Sequence, residues 1–218
     1  MPGSPRGLDV GTMNFLGAVM DSAGKVKVRS IRNTFLDVEV SAFTKNMLQQ
    51  RKINYAERGG KVYILGEAAF ELANIMNKTV RRTMMDGVIS PKETDALAII
   101  GLLTDAVLGK SEEPGTLVYY SVPGDPVDAD FNIVYHTSVL EGALKNLGYK
   151  GKPMNEGHAV VFSELAEQDF TGIGISCGGG MFNVCVSYKT IPAISFSTSR
   201  NVATGAPIGM SSFPCALV

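Results

Sequence analysis

Tryptophan is absent from the 218 residues, histidine occurs twice and cysteine three times. Cys177, Cys185 and Cys215 form no C-x-x-C pair and leave an odd thiol, a pattern that suits a reducing cytoplasm with thiols acting as small hydrophobes. Charge of one sign is equally scarce. Twenty Lys and Arg against 21 Asp and Glu leave a net charge of −1, so charge points to neither nucleic acid nor anionic membrane as a partner. No apolar run is long enough to span a bilayer, and the opening Met1-Pro2-Gly3-Ser4-Pro5 is not a signal peptide. What is present is 45% hydrophobic content, enough for one sizeable core and part of a second.

The informative stretch runs from Arg6 to Val19. An apolar strand carries a single acid, Asp9, then reaches the turn Gly11-Thr12-Met13-Asn14 and returns as a second apolar strand. A carboxylate on an apolar strand is costly unless something neutralises it. A glycine turn lets backbone approach a ligand, and successive N–H groups there make an anion-binding concavity. An acid beside such a concavity makes sense if a divalent cation bridges it to phosphate. Residues 173–186 repeat the layout: an apolar strand, the turn Gly178-Gly179-Gly180, and a returning strand. Two such turns at opposite ends of one chain suggest two related lobes clamping one phosphate chain.

Leu8-Asp9-Val10-Gly11-Thr12 and the Gly178 to Gly180 region resemble the first and second phosphate motifs of the actin-like ATPase superfamily. The branch is that of the bacterial MreB and MamK filament proteins, since Arg81 to Ile89 resembles an MreB-type segment ending in Asp-Gly-Val-Ile. The resemblance implies an α/β fold. It is a ribonuclease-H-like (actin-like ATPase) lobe, a mixed sheet flanked by helices, plus the opening strands of a second such lobe. The expected boundaries are 6–168 for the first lobe, with a small inserted subdomain at about 33–80. The second lobe opens at 169–200, and 201–218 is an irregular tail. The implied ligands are ATP, its phosphates on Gly11, Thr12, Met13, Asn14, Gly178, Gly179 and Gly180, and Mg held through water by Asp9. Glu156 aligns with the glutamate that positions the attacking water in relatives, although Gly157 replaces their proline. Self-association, or association with other actin-like subunits, is the implied partnership, in the cytoplasm.

Between the motifs, the reading is a turn at Ser22-Ala23-Gly24 and a strand from Lys25 to Ile31. Residues 33–50 show no clean period beyond a short helix from about Ser41. A hairpin follows about Gly59-Gly60, and a helix opens at Gly66. A buried helix runs from Thr94 to Leu108, apolar on most sides, and a buried strand from Thr116 to Val122. Asp128 is a candidate cap for a helix reaching Leu147. Lys152 to Asn155 is a short strand, and a further helix runs to about Glu167. His136 and His158 read as satisfied or exposed histidines rather than ligands.

Two departures from the family pattern bear on chemistry. Ser176 stands where the second motif normally begins with a metal-holding aspartate. Met181 and Phe182 replace threonines, and Asn183 stands where an acid is common. Losing such groups costs about 10²-fold or more per element, so hydrolysis is expected to be slow or absent. The chain also supplies only the opening strands of lobe two. A shifted reading frame near Val202 to Gly205, natural truncation or a deliberate truncation would each give that ending. Three functions are therefore carried forward: an MreB-type filament protein, a chaperone-like or microcompartment-associated ATPase, and a non-enzymatic partner capping a filament end.

Overall fold

The computed structural model describes residues 4–53, 55–128 and 133–199. The first sheet begins with three antiparallel strands, β1 (Arg6–Val10), β2 (Asn14–Met20) and β3 (Val26–Arg32). It is completed by β9 (Thr116–Val122) and β10 (Tyr149–Asn155), both running parallel to β1, in the order β10-β9-β1-β2-β3. Parallel neighbours need crossovers. These are supplied by α3 (Ala96–Leu108) before β9 and α4 (Ile133–Asn146) before β10, which pack together on one face. The core under them gathers Leu8, Val10, Phe15, Ile99, Ile100, Leu103, Val118, Tyr120, Leu140 and Leu144. Gly17 is required in β2 because a Cβ there would lie 2.7 Å from the Val107 carbonyl oxygen.

Between β3 and α3 the chain builds a second three-stranded sheet from β4 (Phe35–Glu39), β5 (Tyr55–Arg58) and β6 (Lys61–Leu65), in the order β4-β6-β5. Gly59 and Gly60 take φ of 57° and 77°, the left-handed pair a two-residue hairpin turn needs. Two helices, α1 (Ala42–Gln50) and α2 (Glu67–Ile75), accompany the sheet, and it has its own core of Leu36, Val38, Leu48, Val62, Ile64 and Leu72. Strand β4 lies inside the stretch whose sequence shows no period. Phe35, Leu36 and Val38 are buried on both faces, and Asp37 is the only polar residue before the exposed Glu39 at its end, so no alternation marks it.

The small hairpin β7 (Met84–Met85) and β8 (Val88–Ile89) turns at Asp86-Gly87, with φ of 53° and 79°. Arg81, just before it, is the electrostatic hub of this region. Its guanidinium donates to Asp37 Oδ1 at 2.7 Å, to Asp95 Oδ2 at 3.0 Å and to both oxygens of Glu93, and it lies over the Phe35 ring. The small sheet is thereby tied to the start of α3.

After β10, helix α5 (Glu156–Glu164) leads into an antiparallel sheet of β11 (Gly172–Cys177), β12 (Phe182–Tyr188) and β13 (Ile191–Thr198). The helix ends at Glu164, short of the predicted Glu167, because a single 3-10 turn at Ala166–Gln168 takes over. It meets the second sheet backbone to backbone. A Cβ on Gly174 would lie 1.9 Å from Gly157 O, and one on Gly157 would lie 2.7 Å from the Cys185 amide nitrogen. Glycine at 157 is thus explained by contact. The sheet's inner face carries Asn183, Cys185 and Ser187, all buried, whereas Ile173, Ile175 and Ile194 are exposed on its outer face.

Other expectations shift by a few residues. Strand β10 begins at Tyr149, ahead of the predicted Lys152. Asp128 accepts hydrogen bonds from Thr198 and Ser199, and the start of the helix it was read as capping lies outside the described residues. The irregular tail at 201–218 and Cys215 also lie outside them. His136 is neither exposed nor satisfied: it is 1% exposed, no hydrogen bond reaches either ring nitrogen among the described residues, and burial pushes its pKa down to about 4. His158 stacks on Phe162 at 4.6 Å, a packing role. No helix among the described residues is long and apolar enough to cross a membrane.

Candidate nucleotide-phosphate site

The two glycine turns share one construction. In the first, β1 and β2 pair down to Val10 and Phe15, and the Gly11 amide donates to Asn14 O at 2.9 Å, leaving Thr12-Met13 at the tip. In the second, Cys177 pairs with Phe182, and the Gly178 amide donates to Met181 O at 2.8 Å, leaving Gly179-Gly180 at the tip. Neither turn contains a residue in the left-handed region. The glycines matter here by the side chains they omit.

The tips touch. A Cβ on Gly179 would lie 2.6 Å from Met13 Cγ, and one on Gly180 would lie 2.6 Å from Thr12 Oγ1 and 2.7 Å from the Gly87 amide nitrogen. Met181 completes the closure, its side chain 2.7 Å from where a Cβ of Gly87 would stand. Thr12 Oγ1 also accepts from the Gly87 amide at 3.1 Å, so the Asp-Gly hairpin is wedged against both turns. The sequence-predicted residues Gly11, Thr12, Met13, Asn14 and Gly178 to Gly180 are therefore gathered at one place.

Beside the tips lie two acids. Asp9 accepts from Ser121 Oγ at 2.6 Å, and that oxygen accepts in turn from the Val10 amide at 3.0 Å. The Asp9 carboxylate is open to water but walled by protein, and this partial desolvation raises its pKa, against the Ser121 hydrogen bond that lowers it. Glu156 Oε2 accepts from Ser176 Oγ at 3.0 Å and from Asn183 Nδ2 at 2.8 Å, while Asn183 Oδ1 accepts from the Gly124 amide at 3.0 Å. Burial first, and repulsion from Asp9 second, raise the Glu156 pKa from 4.5 to about 7. Ser176 and Asn183, which stand where the family pattern has acids, are thus the donors that hold the glutamate in place.

A divalent cation fits this pair in part. Two acids of like charge beside two serine hydroxyls favour a cation between them. Among the described residues, however, no group of three or more acids, histidines or cysteines gathers that could hold a metal alone. Phosphate or water oxygens must complete its shell.

The raised Glu156 carries a pH dependence of stability. The folded chain holds a proton that the unfolded chain releases between pH 4.5 and about 7, so its contribution is fully present at low pH. It is lost as pH rises through that window, by on the order of 3 kcal/mol. Glu156→Gln, which keeps an acceptor for Ser176 and Asn183, is expected to flatten the slope. Buried His136, held neutral with a pKa of about 4, gives the opposite slope below pH 6.5, so the Glu156 part is read as the difference between wild type and variant in urea unfolding at about pH 5 and about pH 8. The same pH dependence in both proteins would dismiss the acid pair.

Sequence reasoning missed two supports. Asn33 is fully buried behind the first turn: its Nδ2 donates to Gly11 O at 3.1 Å, its amide donates to Met13 O at 2.8 Å, and its Oδ1 accepts from Thr83 Oγ1 at 2.7 Å. Ser121 was missed because its partnership with Asp9 follows from the parallel register of Leu8 with Tyr120, which local pattern does not reveal.

Comparison with solved structures shows an actin-like fold of the MreB and MamK type over most of the chain. MreB5 of Spiroplasma citri bound to AMPPNP aligns at a TM-score of 0.58 and 16% identity, covering 89% of this chain and 52% of that one. The same protein bound to ADP gives 0.54 at 16%, covering 89% and 51%. A MamK double helical filament gives 0.54 at 19%, covering 88% and 53%. The chain thus spans about half the length of these structures. No curated protein matches in sequence. A family model described as Volactin matches residues 5–204.

Proposed function

This chain belongs to the Volactin family, and from that premise we propose that it binds the phosphates of ATP between its two hairpin turns and assembles with like subunits. The observation that carries the reading is the meeting of turns from opposite ends of the chain, Thr12-Met13 on Gly179-Gly180, with Asp9 and Glu156 alongside. In support, similar folds were solved with ADP and AMPPNP and as a filament. In this reading residues 6–168 form the first lobe, 33–80 its inserted subdomain, and 169–200 the opening of the second. Asp9 holds Mg through water, and the metal supplies charge neutralisation at the phosphates. Glu156 orients water, and Asn33 and Ser121 fix the first turn and the acid. A cytoplasmic setting accords with the free, buried thiol of Cys185.

Two features argue for weak binding and slow hydrolysis. Met13 and Met181 fill the space where the tips meet, so phosphate enters only if both side chains withdraw. Ser176 and Asn183 also supply neutral donors where the family pattern has acids. Calorimetry on this chain is expected to find ATP affinity weaker than micromolar; micromolar binding would contradict the closed tips. Pelleting and electron microscopy with ATP and with ADP test assembly. A second reading, a non-enzymatic partner that docks on a filament end, is favoured by the exposed Ile173, Ile175 and Ile194. It is supported if the chain shortens preformed actin-like filaments without polymerising.

A further inference from the structure

The five-stranded sheet ends at β3, and no strand pairs with the outer edge of β3 among the described residues. The hairpin fixes its inward bonds. The Asp21 amide donates to Lys25 O at 2.9 Å, and the register pairs Val19 with Lys27, Gly17 with Arg29 and Phe15 with Ile31. In an antiparallel ladder alternate residues bond to one neighbour. Lys25, Lys27, Arg29 and Ile31 therefore turn their backbone groups towards β2, while Val26, Val28 and Ser30 turn theirs outwards. All residues from Val26 to Ser30 are exposed, and the strand's far end is closed by the pair of Arg32 with Glu67. The side chains sort by face. Val26 and Val28, 55% and 58% exposed, stand beside Met20 on one face, and Lys27 and Arg29 stand on the other. Against Lys27 and Arg29 lies a hollow of about 340 Å³, lined also by Arg6 and Lys110, with Asp21 and Glu112 as the opposing acids. Arg29 and Lys110 make no ion pair among the described residues. Lys27 meets Asp21 at 3.3 Å with 71% of its side chain exposed, a pair too well hydrated to hold it. Arg6 donates to Leu108 O at 2.7 Å, so its charge stays beside the hollow.

We propose that this edge docks an acidic protein segment, which adds as a strand antiparallel to β3 with carboxylates at alternate positions and apolar residues between them. Val26, Val28 and Ser30 supply the outward backbone bonds. Residues opposite Lys27 and Arg29 therefore fall at the non-hydrogen-bonded pairs, where side chains approach most closely. Carboxylates there meet both cations, and Arg6 and Lys110 add attraction from the hollow. The apolar residues between them lie against Val26 and Val28. The same geometry counts against a second copy. Pairing β3 with itself about Val28 sets Lys27 against the partner's Arg29 twice, at the close pairs, and like charges directly opposite are destabilising. The cations that blunt this edge against like strands leave it open to acidic ones. Main-chain bonds supply the affinity and the alternate side chains the specificity. Neither glycine turn takes part, so the proposal stands apart from ATP binding.

The test is fluorescence anisotropy of the whole chain with two labelled synthetic peptides of one composition. Glu and Val alternate in the first, and the Glu residues form one block in the second. The alternating peptide should bind the wild type about 5-fold or more tightly than the blocked one, and more weakly as salt rises. Arg29→Glu should weaken that binding by about 5-fold or more. Val28→Pro, which removes an outward donor from an edge strand, should weaken it by about 10-fold or more. The exposed Lys92→Glu, distant from β3, should change it by less than about 2-fold. Arg29→Glu decides the matter if Val28→Pro fails to fold. Equal binding of the two peptides, an unchanged Arg29→Glu or an equal loss in Lys92→Glu means attraction by charge alone and overturns the strand pairing. So does the absence of binding at about 1 mM peptide, a result that leaves the ATP titration untouched. A wild-type dimer in sedimentation that Val28→Pro dissociates would assign the edge to a second copy and overturn the acidic partner.

Discussion

Gly174→Ala is expected to destabilise the chain by about 3 kcal/mol or more, since it makes the tightest contact of any Cβ added at a glycine among the described residues. Its Cβ would stand 1.9 Å from the Gly157 carbonyl oxygen and 2.9 Å from Val161 Cγ2. Overpacking a core ordinarily costs about 1–3 kcal/mol, because side chains swing aside. Here the obstacle is backbone, and both backbones are pinned, β11 by its pairing of Gly174 with Cys185 and α5 by its own hydrogen bonds. The helix must lift, and Glu156 then parts from Ser176 and Asn183. Gly157→Ala meets the same contact from the other side, so the double substitution should cost less than the sum of the two. The control is Gly101→Ala in α3, where a Cβ meets nothing within 4 Å; it should stabilise by about 0.5–1 kcal/mol. Urea midpoints measure all four. A Gly174→Ala loss under about 1 kcal/mol would mean that α5 and β11 do not touch as described.

The second large effect concerns Ser176→Asp, which restores the acid expected from the family pattern. It removes a donor 3.0 Å from Glu156 and places a third carboxylate beside Glu156 and Asp9. Without metal, the like charges and the lost hydrogen bond should cost on the order of 3–5 kcal/mol at neutral pH, and raise the pH dependence further. Mg should reverse this. A cation at about 100 times its dissociation constant returns about 2.7 kcal/mol, which for a chain this size is about 5–10 °C in Tm. The wild type, whose donors already satisfy Glu156, should respond far less. A variant indifferent to Mg would separate Asp9 from any metal role and leave the acid pair a structural feature.

The fold was legible wherever local chemistry is enough. The apolar strands about Gly11 and Gly178 and the Gly59-Gly60 hairpin announce themselves, and so does the buried helix before Leu108, which begins at Ala96. What stayed hidden depends on distant partners. Strand β4 has no alternation because it buries apolar residues on both faces, and Asn33 looks like any loop asparagine until the first turn lies on it. The site was half legible. Local pattern named Asp9 and both turns, and the family resemblance named Glu156, but the contact of the turns through Met13 and Met181, and the bonds of Ser176 and Asn183 to Glu156, are tertiary. A neutral residue replacing an acid reads as a loss on paper; in space it supplies a donor.

The hairpin at Asp86-Gly87 has one further consequence. Its amide is bonded to Thr12, its glycine is covered by Met181, and the strand leading into it is anchored by Arg81 to Asp37 on the small sheet and to Glu93 ahead of α3. Whatever prises the tips apart must pull on this lever, and the load then falls on the Arg81 contacts to the small sheet and to the start of α3.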